Sequence, residues 1–120
     1  MKWSATLHHH MPSMKNSRIT TRSGASIKSK GARKFETKAG ADALVVRPPR
    51  LLRGPLSLEL KIYYGHPLND IDHNLIMDVL EGIVYENDHE VYKVKMQKWH
   101  VPRKEARVEI VVEELEPRPD

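Results

Sequence analysis

The stretch LSLELKIYY, residues 56–64, decides the fold, because apolar and polar side chains alternate along its whole length. On an extended chain the leucines, Ile62 and Tyr64 point to one side, and Ser57, Glu59 and Lys61 point to the other. This alternation is typical of a strand in a sheet that is covered on one face and exposed on the other. The sequence therefore predicts a sheet packed against other elements on one side.

One helix is predicted before this strand in the sequence, and a second is predicted after it. The first runs from near Ser29 to about Val46, since apolar residues recur there at helical spacing and Pro48-Pro49 ends the pattern. The second follows residue 74, with Gly82 as its C-terminal cap, and its apolar stripe consists of Leu75, Ile76, Val79, Leu80 and Ile83.

The remaining apolar runs predict further strands. One covers about residues 1–7, two more cover residues 83–85 and 91–99 with a turn between them, and the last covers residues 108–112. Residues 15–34 have the composition of a long loop. We therefore expect an α+β fold, in which a mixed sheet packs with two main helices in two layers. The order is β-α-β-α-β-β-β within one domain, residues 1–120.

Composition limits the class of protein. The chain has no cysteine, which excludes disulfides and thiolate metal sites. No apolar run approaches the roughly 20 residues of a membrane span, and no signal-peptide pattern occurs. We expect a soluble cytoplasmic protein.

Charge is distributed unevenly along the chain. Residues 1–50 carry a net charge of +9, and residues 51–120 carry a net charge of −5. This asymmetry favours a polyanion-binding part beside a cation-binding part, although a dipolar surface that serves solubility explains it equally well. The candidate phosphate contacts are Arg18, Arg22, Lys28, Lys30, Arg33 and Lys34 in the basic half and Lys93 and Lys95 on a later strand.

Residues 70–90 hold seven acidic side chains and no lysine or arginine. Asp70 and Asp72 would point to the same side of an extended chain, and Asp88 lies on a predicted turn that can fold back beside them. Three carboxylates are a ligand set for Mg²⁺ or Mn²⁺. Alternatively, Asp72 caps the second helix and Asp88 only forms a turn. Asp78 and Glu81 are expected on a solvated helix face.

The run His8-His9-His10 has three interpretations. It is a strand end and loop, a metal cluster, or a fragment of an expression tag. We favour the strand end and loop.

Two stretches, DIDHNL at residues 70–75 and DVLEGIVYENDHEV at residues 78–91, resemble the RusA family of Holliday junction resolvases. Pro12-Ser13 with Asn16 and Arg18 is similar to the N-terminal motif of that family. The basic strand that follows residue 90 and the last strand also fit. The resemblance extends over nearly the whole chain.

The resemblance implies a homodimeric, structure-selective DNA endonuclease. Such enzymes bind branched DNA, especially four-way junctions, and cut two strands symmetrically by metal-dependent phosphodiester hydrolysis in recombination and repair. Asp70, Asp72 and Asp88 match the three aspartates of the family that hold Mg²⁺, with Mn²⁺ as a substitute.

One family feature is missing. RusA-like proteins usually place a lysine one helical turn after the second aspartate, and this chain has Ile76 there. A cation from the loop between Arg18 and Lys34 of either subunit, or His73, would then have to replace it. The alternative functions are a DNA- or junction-binding protein with weakened catalysis and a structural cation-binding protein.

Overall fold

The alternating stretch forms the strand that organises the sheet. A computed structural model describes residues 1–12, 18–65 and 73–116, and the side chain of Arg18 is not described. The described elements are β1 (Lys2–Leu7), β2 (Arg18–Thr20), β3 (Ser26–Lys28), α1 (Lys30–Val45), β4 (Leu56–Tyr64), α2 (Asn74–Leu80), β5 (Val91–His100) and β6 (Arg107–Glu114), with 3₁₀ helices at Asp88–Glu90 and Arg103–Glu105. The predicted α+β class and element order are confirmed.

The main sheet has the order β1-β6-β4-β5 within the described residues. β4 runs antiparallel to β6, with Leu58 opposite Val112, and parallel to β5, with Leu58 opposite Val94. Every even-numbered residue of β4 is buried, and the odd-numbered ones are half-buried. Because parallel neighbours begin at the same end of a sheet, the chain between β4 and β5 has to cross back along the sheet.

Helix α1 covers the buried face of the sheet. The Ser29 side chain caps it by accepting a hydrogen bond from the Ala32 amide at 3.1 Å. Its buried side consists of Ala32, Phe35, Ala39 and Ala43, three of them small enough to let the helix approach the sheet closely. At the other end, the Trp3 indole donates to the Val46 carbonyl at 2.7 Å. The predicted bounds are confirmed.

Helix α2 packs beside α1 and is only seven residues long. Isolated helices of that length are unstable in water, so burial of Leu75, Ile76, Val79 and Leu80 holds it in place. Gly82 follows its end with a φ of 83°, which confirms the predicted glycine at this cap. No helix of the described residues is long and apolar enough to cross a membrane.

Two details differ from the prediction. Residues 83–85 do not form a hairpin with β5, because β5 pairs with β4; Tyr85 instead makes isolated bridges with Leu52 and Glu81. In addition, the predicted loop contains a hairpin of β2 and β3, which turns through Gly24 at a φ of 85°.

Strand β5 forms one edge of the sheet, and one of its sides has no strand partner among the described residues. Tyr92 is 77% exposed and Val94 is 46% exposed. Trp99 is partly exposed and stacks on Tyr63 of β4, with 5.3 Å between the ring centroids.

Glu114 ties the end of β6 to the segment before β4. Its carboxylate accepts two hydrogen bonds from the Arg50 guanidinium at 2.9 and 3.0 Å and one from the Arg53 amide at 2.8 Å. The Met1 amino group lies 3.0 Å away. Together these donors hold the pKa of Glu114 well below its ordinary value.

We predict that Glu114→Gln lowers the thermal midpoint at neutral pH, since an amide replaces a carboxylate that accepts from cationic donors. The pKa of Glu114 is lower in the folded state, so its contribution is complete above its ordinary value of 4.5 and is lost as the pH falls below it. Thermal unfolding of both proteins at neutral pH and at about pH 3 measures this. Glu116→Gln, at an exposed neighbouring carboxylate, is the control. The prediction would be contradicted if the midpoints of the parent and of Glu114→Gln differed more at about pH 3 than at neutral pH.

Candidate functional site

The acidic segment lies in the connection between β4 and β5. Asp70 and Asp72, the first two predicted metal ligands, lie outside the described residues. Described structure stops at Gly65, just after β4, and resumes at His73, which directly precedes α2.

Asp88, the third predicted ligand, is the first residue of the 3₁₀ helix that leads into β5. Asn87 and Glu90 form a reciprocal capping box around this turn, and the Glu90 carboxylate also accepts from the Gly54 amide at 3.2 Å. The Asp88 amide donates to Glu81 Oε1 at 3.1 Å. The turn is therefore held by hydrogen bonds at several points, which fixes the backbone of Asp88.

The Asp88 carboxylate itself is half-buried and has no hydrogen-bond or ion-pair partner within the described part of the chain. A partly desolvated carboxylate without a counter-charge is costly. A hard divalent cation is a suitable partner for such oxygen ligands. In residues 1–12, 18–65 and 73–116, no three acidic or histidine side chains group as a metal site. Asp88 is thus the one predicted ligand that the structure describes, and its surroundings fit that role.

The pKa of Tyr85 responds to the negative charge around the Asp88 carboxylate. Tyr85 is fully buried, and its hydroxyl donates to the Met77 carbonyl at 2.8 Å. Burial raises the pKa of Tyr85 well above its ordinary value, and the negative charges of Asp88, Glu81 and Asp78 raise it further. The three carboxylates therefore act on one hydroxyl, and together they make this region attractive to cations.

Lys28 connects the basic and acidic parts of the molecule. Its Nζ lies 2.8 Å from Glu36 Oε1 of α1 and 2.9 Å from Asp78 Oδ2 of α2. Burial lowers the pKa of Lys28, but hydrogen bonds and attraction from both carboxylates outweigh it and leave the pKa raised. Asp78 of α2 is thus ion-paired with Lys28 of β3, and its side chain remains partly exposed on the helix.

The position of the missing family lysine is part of the core. Ile76 is completely buried and belongs to the buried stripe of α2. A lysine there would bury an unpaired ammonium group, so this helix cannot present a cation from that position. Met77, its neighbour, is only partly buried.

The predicted DNA contacts fall into two groups. Arg22 lies in the exposed turn of the β2–β3 hairpin, and Lys30, Arg33 and Lys34 are exposed on the first two turns of α1. By contrast, Lys93 and Lys95 stand beside Ser57 and Glu59 on the sheet face away from the helices. The two groups do not form one continuous surface on a single protomer. Of Arg18, only the backbone is described.

The histidines after β1 are built into the fold. His9 Nε2 contacts Asp42 Oδ2 of α1, and His10 Nε2 accepts a hydrogen bond from the Gly65 amide at 3.0 Å. These contacts support the interpretation as a strand end and loop. They also bring the end of β1 to the end of β4, a proximity that the local sequence pattern does not reveal.

Comparison with known proteins gives one family. A family model described as endodeoxyribonuclease RusA matches residues 10–113, a range that includes Asp70, Asp72 and Asp88. No curated protein matches the chain.

Proposed function

The chain belongs to the RusA family of endodeoxyribonucleases, and we propose that it resolves four-way DNA junctions as a homodimer with a divalent metal ion held by Asp70, Asp72 and Asp88. Family membership makes it a DNA nuclease and hence a hydrolase. The observation that carries the finer proposal is the half-buried Asp88 carboxylate, which has no cationic partner among the described residues.

The proposed ligands suit Mg²⁺, and Mn²⁺ as a substitute, because both prefer carboxylate oxygens. When bound, such an ion activates water as a nucleophile and neutralises charge that develops on the phosphate. The protein's own contribution is to hold the carboxylates in place. The capping box around Asp88 and the Glu81 hydrogen bond to its amide do so for the described ligand.

DNA binding is proposed for the exposed cations at the start of α1 and in the β2–β3 hairpin. Lys30, Arg33 and Lys34 are exposed on α1, and phosphate contacts of this kind supply affinity without reading the base sequence. Shape selection would come from the homodimer, because a two-fold axis presents two equivalent sites to a junction that has the same symmetry.

Lys28 is our candidate for the cation that replaces the family lysine. Its ammonium group is ion-paired with Asp78, a carboxylate of the acidic segment. Lys28 belongs to the segment between Arg18 and Lys34, from which the sequence led us to expect the substitute. Bound phosphate would compete with Asp78 and Glu36 for its ammonium group.

A second candidate function is junction binding without turnover. The observation that favours it is that a buried isoleucine, Ile76, stands on α2 where the family usually has a lysine. Both candidates require DNA binding, and they differ only in whether the bound strand is cut.

The test is a binding and cleavage assay with a four-way junction and a linear duplex of the same sequence, each with Mg²⁺, with Mn²⁺ and with a chelator. We expect preferential, salt-sensitive binding of the junction and metal-dependent paired cuts. Binding without cutting in either metal would leave the second candidate. Equal affinity for both DNAs at every salt concentration would exclude the junction as the specific substrate.

We predict that Asp70→Asn, Asp72→Asn and Asp88→Asn each slow cleavage by at least about 100-fold. Each change removes the ligand charge at nearly constant size, so junction affinity should be retained or increased. Single-turnover cleavage and equilibrium binding measure the two effects separately. Glu86→Gln is the matched control, since Glu86 is exposed and close to Asp88 in the chain. A variant that cuts at the parental rate would show that its aspartate is not a ligand.

We predict that Lys28→Gln slows cleavage of saturating junction by about tenfold or more and changes the affinity little, because a cation at the reacting phosphate acts in the transition state. Lys28→Arg should keep most of the rate. Lys30→Gln, which removes an exposed charge two residues away, should weaken binding and leave the saturated rate unchanged. If Lys28→Gln cuts as fast as the parent, the cation comes from elsewhere.

A further inference from the structure

We propose that the cleft between the end of β1, helix α1 and the Arg103–Glu105 turn binds a backbone phosphate of the DNA substrate. This inference rests on the proposed function for the identity of its ligand, and it adds a binding site outside the acidic segment. The residues that would hold the phosphate are Lys34, Lys38 and Arg103, with His9 and His10 beside them.

The cleft is an open, positively charged depression of about 240 Å³. Three separate parts of the chain form it. Gly31, Lys34, Phe35 and Lys38 line it from α1, the two histidines from the segment after β1, and Arg103 from the turn after β5. Among the described residues, no carboxylate lines it.

The three cations of the cleft lack counter-charges. Lys34, Lys38 and Arg103 form no ion pair with any carboxylate in residues 1–12, 18–65 and 73–116. Lys34 and Lys38 are one helical turn apart, a spacing at which like charges destabilise a helix. An anion between them would remove this repulsion. Asp42, the nearby acid of α1, contacts His9 instead of either lysine.

Close packing fixes Arg103 at the mouth of the cleft. A side-chain carbon at Gly65 would approach the Arg103 Cα to 2.6 Å, so only glycine allows this contact between the end of β4 and the Arg103 turn. The Gly65 amide donates to His10 at 3.0 Å, and the Val101 amide donates to the Tyr64 carbonyl at 2.9 Å. The backbone that carries Arg103 is therefore immobilised next to the residue that leads into the Asp70 segment.

Gly31 points to close approach of a ligand to the helix backbone. Glycine weakens helices relative to alanine, yet the fold leaves room for a side chain here, because the nearest atom to a built Cβ is Ser29 Oγ at 3.9 Å. The packing thus gives no reason for glycine at this lining position. A phosphate group that approaches the main chain would supply one.

The position of the cleft fits a strand of DNA that crosses α1. On one flank of the helix, Glu36 contacts Lys28, which also contacts Asp78 in the acidic region. On the other flank lies the cleft, and the exposed Lys30 and Arg33 lie between the two. A strand bound along these cations would have one phosphate near the acidic region and another in the cleft.

The test compares two double variants that remove the same charge. Lys38→Gln with Arg103→Gln removes two of the three cations of the cleft, and Arg53→Gln with Lys2→Gln removes one arginine and one lysine from exposed positions outside it. We expect the cleft variant to bind a four-way junction about tenfold more weakly. The slope of log affinity against log salt concentration should become shallower by about two. The matched variant should bind like the parent, as should Lys38→Arg with Arg103→Lys. Thermal unfolding checks that each variant is folded.

A second measurement does not depend on the variants. Inorganic phosphate added to the parental protein at constant ionic strength should shift the amide NMR signals of Gly31 and Lys34 saturably, whereas chloride should not. The absence of a saturable shift would overturn the proposal, as would a cleft variant that binds like the parent or a matched variant that loses as much affinity. In each of those cases a parent that still binds and cuts junctions leaves the proposed function standing. A parent that binds no DNA would overturn both.

Discussion

The parallel pairing of β4 with β5 is the constraint on which the rest of the molecule depends. Two parallel neighbours cannot be joined by a tight turn, so about 25 residues must travel from the end of β4 to the start of β5. Helix α2, the capped 3₁₀ turn of Asp88 and the segment with Asp70 and Asp72 all belong to this one connection. The proposed chemistry therefore lies in the crossover, while the sheet and α1 provide the rigid support.

Local patterns in the sequence predicted the elements whose cause is local. The alternation of β4, the Ser29 cap of α1 and the Gly82 end of α2 are each visible in a few adjacent residues and are confirmed. The partner of a strand is not a local property. Residues 83–85 have the composition of a strand, but β5 pairs with β4 and leaves Tyr85 only isolated bridges. The β2–β3 hairpin was missed, although its signal, Ser23-Gly24 after the β-branched run of residues 19–21, is present in the sequence.

The same limit applies to the site. The acidic segment is evident from composition, because residues 70–90 hold seven acidic side chains and no lysine or arginine. The ion pairs of Lys28 with Glu36 and Asp78, and the burial of Ile76, depend on the packing of α2 against α1 and were not predicted. The cleft was also missed, because His10, Lys38 and Arg103 come from distant parts of the chain. The sequence analysis also treated all the candidate phosphate contacts as one set, whereas the sheet separates them into two groups on opposite faces.

The edge of the sheet formed by β5 is a site at which the protein could aggregate. An edge strand with exposed apolar residues, here Tyr92 and Val94, is a template on which other chains can add strands and grow into aggregates. Lysines on such an edge oppose this by mutual repulsion between chains. Lys93, Lys95 and Lys98 lie on this strand, and their charges would oppose such addition whether or not nucleic acid is bound. Chemical neutralisation of these amines would threaten the solubility of the protein independently of any effect on its enzymology.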